Sequence, residues 1–246
     1  MISISEQKKR ALSQLKGNWS NPVITTLLFG VMSVAASVVL SGMVFFFTFI
    51  LSVLLSITTA TSAQDFTLIV FILQIVFRIL SFIVNLLIIP LSLGIIKYFL
   101  MFAKSQKPSI ANLFDGYKYS FGNSILASIL VSIYTFLWTL LLIVPGIIKK
   151  YAYSMTLFII ADEPNISANE AIKKSEAMMK GYKWNYFLLE LSFIGWALLA
   201  IFTCGIGYLW LTPYMQTTTL HFYLKVKEEY ENKISDNQGT LVLEEF

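Results

Sequence analysis

Glu190 is the residue whose type and place most invite chemistry. It sits six positions past Trp184 inside an apolar run, about 9 Å along a helix, where an unpaired carboxylate is costly. Lys97 lies seven positions before Lys104, at a similar depth from the same end. A Glu190–Lys97 pair is therefore geometrically allowed, either to fix helix register or to handle a proton or substrate. Gln216, Thr217, Thr218 and Thr219 put polar groups into the last apolar run, and Tyr151, Tyr153 and Ser154 do so in an earlier one. Such groups join helices more often than they line a conduit, and Gln74 and Asn85 read the same way. Glu190, Lys97, Gln216 and Thr217 make up a candidate intramembrane polar site.

The other reactive residue types point to no reaction. His221 is the only histidine, which points to a structural role at the interface rather than a zinc site, and Cys204 is the only cysteine, which excludes an internal disulfide. Asp162 and Glu163 are neighbours in sequence and do not face one another on a helix, which suits the end of a span better than a catalytic pair. The chain has no phosphate-binding glycine loop, no Gly-x-Ser-x-Gly elbow and no HExxH helix. These residues predict no enzyme, no cofactor and no metal.

The elements that would hold these residues are membrane helices. Hydrophobic residues make up 57% of the 246, and charged residues only 13%, collected in short segments between long apolar runs. With a mean hydropathy of +0.71, the composition is that of an integral membrane protein, and the net charge of +4 does not indicate nucleic-acid binding. The first run, Val23 to Ile57, is far longer than a signal-peptide core of about 7 to 15 residues, so it reads as an uncleaved first span. It also exceeds the roughly 20 residues that cross a bilayer and must tilt, project or break near Gly42.

A polar turn over Thr58 to Asp65 leads to a second overlong run, Phe66 to Ala103. Residues 122 to 144 form a third span, ended by a break at Pro145-Gly146. Ile147 to Ala161 reads as a short fourth span starting at the outer interface, with Lys149 and Lys150 snorkelling; a re-entrant or surface helix is the alternative. The fifth runs from Trp184 to about Thr203 and the sixth from Tyr208 to about Leu224.

Amphipathic segments punctuate these spans. Ser167 and Glu170 form a capping box. Ala168, Ala171, Ile172, Ser175, Met178, Met179 and Tyr182 share one helical face and Gly181 ends the segment. Residues 3 to 17 repeat the pattern, with Ser3 and Glu6, Lys9-Arg10 and Lys16-Gly17, and a shortened copy starts at Ser109 and reaches Gly116. The predicted fold is all-α, a polytopic bundle of about six spans in three units (1–104, 105–165 and 166–225), each an amphipathic helix followed by a hairpin. Residues 1–225 form a single membrane domain, and 226–246 a flexible charged tail. The segment carrying Lys173, Lys174, Lys180, Met179 and Tyr182 is a candidate membrane-surface helix for anionic lipid, with buttressing of the spans as the other reading.

With six spans, all Lys and Arg residues except Arg78, Lys149 and Lys150 fall on one side. The positive-inside rule makes that side, with both termini, cytoplasmic.

The segments "PGIIKKYAYSM", "ISANEAIKKSEAMMKGYKW" and "LSFIGW...GIGYLWLTPYM" resemble a bacterial membrane family catalogued as domain of unknown function 975. The likeness extends over most of the chain through Lys16-Gly17-Asn18-Trp19, Pro145-Gly146, Tyr153-Ser154-Met155, Asp162, Pro164, Glu170-Ala171, Lys180-Gly181, Ser192 to Trp196, and Pro213-Tyr214. It is least over residues 40 to 80. A weaker likeness links the Pro-Gly break and Ser-capped helix to the membrane domain attached to some bacterial glycerophosphodiester phosphodiesterases, and brings no catalytic residues with it. The resemblance implies a fold and a plasma-membrane location, without an activity. The expected role is non-catalytic, binding a protein partner or a second copy of the chain, or organising lipid; the alternative is a permease for lipid or a small solute, with a polar path near Glu190 and Lys97.

Overall fold

The computed structural model describes residues 3–57 and 63–244. The expected polar turn after Ile57 falls largely on residues 58–62, outside the described residues. Among the described residues ten α-helices follow one another: α1 (Ile4–Leu15), α2 (Ser20–Ile57), α3 (Ala63–Ala103), α4 (Asp115–Tyr119), α5 (Phe121–Leu141), α6 (Ile143–Ala152), α7 (Thr156–Asp162), α8 (Ala168–Met178), α9 (Lys183–Phe202) and α10 (Tyr208–Glu244). A 3-10 turn, Ile110–Phe114, precedes α4. No strand occurs among the described residues, and the chain is all-α, as its composition requires.

Five helical stretches are long and apolar enough to cross a membrane: Ser20–Val53, Phe71–Ala103, Phe121–Leu141, Ile143–Asp162 and Lys183–Phe202. The expected sixth span, Tyr208 to Leu224, is not among them. Its centre carries Gln216, Thr217, Thr218, Thr219 and His221, which lower its hydropathy, and it is enclosed by protein: Thr217, Thr218, Leu220, Phe222 and Tyr223 are all fully buried. Nor does α10 stop at Leu224; it continues as one helix to Glu244. Intrahelical bonding and ion pairs along its charged half keep it going where apolar packing ends.

The chain divides into two compact units, Met1–Leu27 with Pro90–Phe246, and Leu28–Ile89. In the first, α1 and α8 both lay their apolar faces on α10 and its neighbours. Ala11 and Leu15 of α1, and Ala171, Ile172, Ser175 and Met178 of α8, are buried. The second half of α3 is a core helix as well, with Leu91, Leu93, Tyr98, Phe99 and Leu100 buried. In the second unit α2 and α3 meet through stacked Phe47 and Phe77, with ring centroids 5.1 Å apart. Most of its other large apolar side chains, including Phe45, Phe46, Phe71 and Phe82, are exposed.

Several local expectations are corrected. The chain breaks at Leu142, which is extended (φ −160°, ψ 140°), and Pro145 and Gly146 lie inside the first turn of α6. Proline is tolerated there because the first-turn amides have no intrahelical acceptor. Gly146 has a packing role: a Cβ on it would collide with Thr139 of α5. Ser3 caps α1 through the Glu6 amide, but the Glu6 carboxylate turns to Arg10 at 2.5 Å, so the reciprocal box forms only at Ser109 with Asn112 and at Ser167 with Glu170.

The middle copy departs furthest. Gly17 (φ +83°) and Gly181 (φ +92°) close α1 and α8 in the left-handed conformation, whereas Gly116 lies inside α4. A Cβ on Gly116 would strike the Pro90 carbonyl of α3, and one on Gly94 would strike the carbonyl of Leu113. The two glycines let α3 and the segment 113–116 touch backbone to backbone.

Candidate functional site

The helix expected to be a short fourth span is discontinuous. α6 ends at Ala152 and α7 begins at Thr156, which frees main-chain groups within an apolar stretch. In a membrane such groups must find protein partners. Ser175 of α8 supplies them: its hydroxyl donates to the Ala152 carbonyl at 2.8 Å and accepts from the Met155 amide at 3.2 Å. The Thr156 hydroxyl takes the Tyr153 carbonyl at 2.8 Å. Sequence reading placed Tyr153, Ser154 and Met155 in a span but missed the break; the buried serine on the apolar face of α8 was the available signal.

Two polar contacts flank the break. Lys149 of α6 pairs with Glu176 of α8 at 2.5 Å and its ammonium lies 5.0 Å from the Trp138 ring centroid. Lys149 and the end of α8 are therefore neighbours. Two residues on, the Tyr151 hydroxyl donates to Glu190 of α9 at 2.9 Å.

Glu190 and Lys97 are not brought together. Lys97 pairs with Asp115 at 3.2 Å and sits 4.4 Å from the Tyr119 ring centroid, because the contact between α3 and α4 delivers a carboxylate beside it. Glu190 instead lines a cleft of about 210 Å³ with Gln216 and Thr219. Thr217 faces elsewhere and returns its hydroxyl to the Pro213 carbonyl at 2.8 Å. Of the four predicted polar residues, Glu190 and Gln216 thus share a site, while Lys97 and Thr217 do not join it. The cation that does reach this stretch of α9 is Lys8 of α1. It donates to the Ser192 carbonyl at 3.1 Å and lies 4.1 Å from the centroid of Phe193, itself part of the cleft lining. Burial lowers the pKa of Lys8 below its ordinary value.

The expected membrane-surface helix is used differently. Met179 is 0% exposed, so it is held by protein and does not enter a lipid leaflet. The Tyr182 hydroxyl donates to Glu229 of α10 and Lys174 pairs with Glu163 at 2.6 Å. Lys173 and Lys180 remain exposed. Buttressing describes α8 better than insertion, because its apolar face is already covered.

The densest charge cluster lies at the end of α7. Asp162, only 6% exposed, pairs with Lys104 at 2.5 Å and with Lys227 at 2.6 Å. It also accepts from the Tyr223 hydroxyl at 3.1 Å. Glu163 pairs with Lys174 and, at 2.8 Å, with Lys227. Burial raises the Glu163 pKa, but the bonds from Lys174 and Lys227 outweigh it and hold the carboxyl below its usual range. Burial lowers that of Lys227, and Asp162 and Glu163 reverse this and raise it. Adjacent acids need not face one another to cooperate: each recruits its own lysine and they share a third. On the other flank of α10, His221 meets Gln14 of α1 at 2.8 Å, the structural role expected of a lone histidine.

Glu190, the broken helix and the charge cluster thus belong to one folded unit of an all-helical, multi-pass membrane protein. Residues 139–230 match a family described as protein of unknown function (DUF975). That segment holds the whole α6–α7 break, α8, Glu190 and Lys227; the Lys16-Gly17-Asn18-Trp19 motif and the α2–α3 hairpin fall outside it, so the family likeness is established for this part of the chain. Neither the curated proteins nor the solved structures yield a match.

Proposed function

We propose that this is a non-catalytic protein of the plasma membrane that binds a second membrane protein through the α2–α3 hairpin. The observation that carries the reading is the pair of overlong helices. α2 has 38 residues and α3 has 41, about 57 and 61 Å at 1.5 Å per residue, against a hydrocarbon core of about 30 Å. Much of their apolar surface is exposed between Leu28 and Ile89, more than a single bilayer thickness covers. On α3, Gln74, Arg78 and Asn85 are exposed and separated by four and seven residues, which places them on one face of an otherwise apolar helix. A partner helix offering polar or acidic groups suits that face better than acyl chains do. Both termini in the cytoplasm is part of this reading and rests on the distribution of basic residues.

Photo-crosslinking residues introduced in turn at Gln74, Asn85, Val76 and Ile83 test it, since the last two lie on the opposite face of α3. Protein adducts confined to Gln74 and Asn85 are expected. Lipid adducts at all four positions would replace partner binding with a lipid-organising role.

A permease remains the second reading, favoured by the cleft beside Glu190 and by the broken α6–α7 helix, a form in which transporters expose backbone to substrates.

A further inference from the structure

A second cleft in the Met1–Leu27 and Pro90–Phe246 unit is separate from the Glu190 site. It has a volume of about 600 Å³ and lies between the end of α1, the first turn of α2, and the end of α3 with the loop that follows. Asn18, Asn21, Gln106 and Lys107 line it, and no carboxylate does. Lys107 is its single charged side chain.

At the end of α3, the amides of Lys104, Ser105 and Gln106 turn back to the carbonyls of Leu100, Phe102 and Met101, and the Phe102 carbonyl also accepts from Gln14. The cleft lining includes Tyr98, 1% exposed, whose hydroxyl lies beside Thr25. The lining side chains thus offer amide and hydroxyl groups and one positive charge, with no carboxylate among them.

The internal repeat provides a comparison. α1 and α8 both pack on α10 and both end in a left-handed glycine, Gly17 or Gly181. After Gly181 comes Tyr182, whose ring extends to α10 and whose hydroxyl bonds Glu229. After Gly17 comes Asn18, which leaves space. At the Gly181 junction the next side chain is bound to α10; at the Gly17 junction the next side chain borders the cleft.

We propose that this cleft binds a phosphate-bearing polar group, with Lys107 countering the charge and the Asn18, Asn21 and Gln106 amides donating to its oxygens. The location names the source. Ser20 begins one membrane-length helix and Ala103 ends another, so the cleft sits at the level of the headgroups, and the ligand is the phosphate of a glycerophospholipid. The same chemistry would accept a soluble phosphate ester, which the experiment separates.

The full chain in detergent is titrated with phosphatidylglycerol, with glycerol phosphate and with diacylglycerol, reading bound ligand by native mass spectrometry and the unfolding midpoint. Phosphatidylglycerol is expected to bind and raise the midpoint, and diacylglycerol to do neither. Lys107→Gln should weaken binding about tenfold, the loss of one charge-assisted contact. Asn18→Tyr, which puts a ring into the cleft, should abolish binding without lowering the ligand-free midpoint, and Lys180→Gln should change nothing. If glycerol phosphate binds as tightly as the lipid, the phosphate site stands and its ligand is soluble. Equal binding of diacylglycerol, or wild-type binding by Lys107→Gln, overturns the proposal; the latter reading survives any folding defect in Asn18→Tyr, because Lys107 is a surface side chain.

Discussion

Lys227 Nζ of α10 lies 2.6 Å from Oδ2 of Asp162 at the end of α7. This contact closes a chain of charges in which Lys104, Asp162, Lys227, Glu163 and Lys174 alternate in sign. It ties the end of α3 and two helices of the DUF975-like segment to α10 beside the buried Tyr223 and Val226. An alternating arrangement gives each lysine and carboxylate a partner, so burial of the set is tolerated.

The cluster sets a pH window for stability. The Glu163 carboxyl is lowered in the folded protein, so its contribution is full above the unfolded carboxyl range and disappears as pH falls through the folded value. The Lys227 pKa is raised, so its contribution is full below about 10.5 and disappears as pH rises through the folded value. The unfolding midpoint in detergent should be flat between these limits and fall on both sides. Lys227→Met should lower stability by about 2 kcal/mol at neutral pH, less than the ~3–5 of a fully buried pair because Lys104 and Lys174 still serve the two acids. It should also remove the alkaline arm of the profile. A midpoint unchanged in Lys227→Met would show that the cluster contributes nothing net.

Gly116→Ala should be among the most damaging single changes in the chain. The new methyl meets the carbonyl of Pro90, which is backbone and cannot swing aside. The expected loss is about 3 kcal/mol or more, at the upper end of overpacking. Gly122→Ala, near the start of α5 with open space around it, should instead gain about 0.4–1 kcal/mol. Chemical denaturation of the two variants side by side checks the contrast.

Glu190→Gln tests whether the acid has a role beyond its contact. The amide oxygen can still accept from Tyr151, so stability should change by less than about 1 kcal/mol, and Tyr151→Phe should cost about 1 kcal/mol. If Glu190→Gln abolishes the cellular function at unchanged expression and midpoint, the permease reading gains over partner binding. If function and midpoint fall together, Glu190 is structural.

Apolar runs, caps and helical faces were legible because each is local. The Ser167 box, the buried face of α8 and the left-handed glycines at 17 and 181 follow from spacing alone. What sequence spacing misled about was the destination of a face: five apolar and small positions on α8 look the same whether lipid or protein will cover them. The partner of Lys97 was also beyond reach. It depends on how α3 meets the segment after Ser109, and that is decided by two glycines, 94 and 116, whose small size matters only once the helices are juxtaposed. The break after Ala152 was hidden for a related reason, since the serine that makes it tolerable lies 23 residues away.

The charge cluster also constrains the order of events at the ribosome. Lys227 follows Asp162 by 65 residues, an interval of roughly 3 to 13 s at ordinary rates of synthesis. Within it, Asp162 has only Lys104 of its two lysines, and Glu163 gains Lys174 first. The nascent chain therefore carries, at the end of α7, an acidic step that still lacks its shared lysine. That step favours keeping this end in water until α10 arrives and locks it.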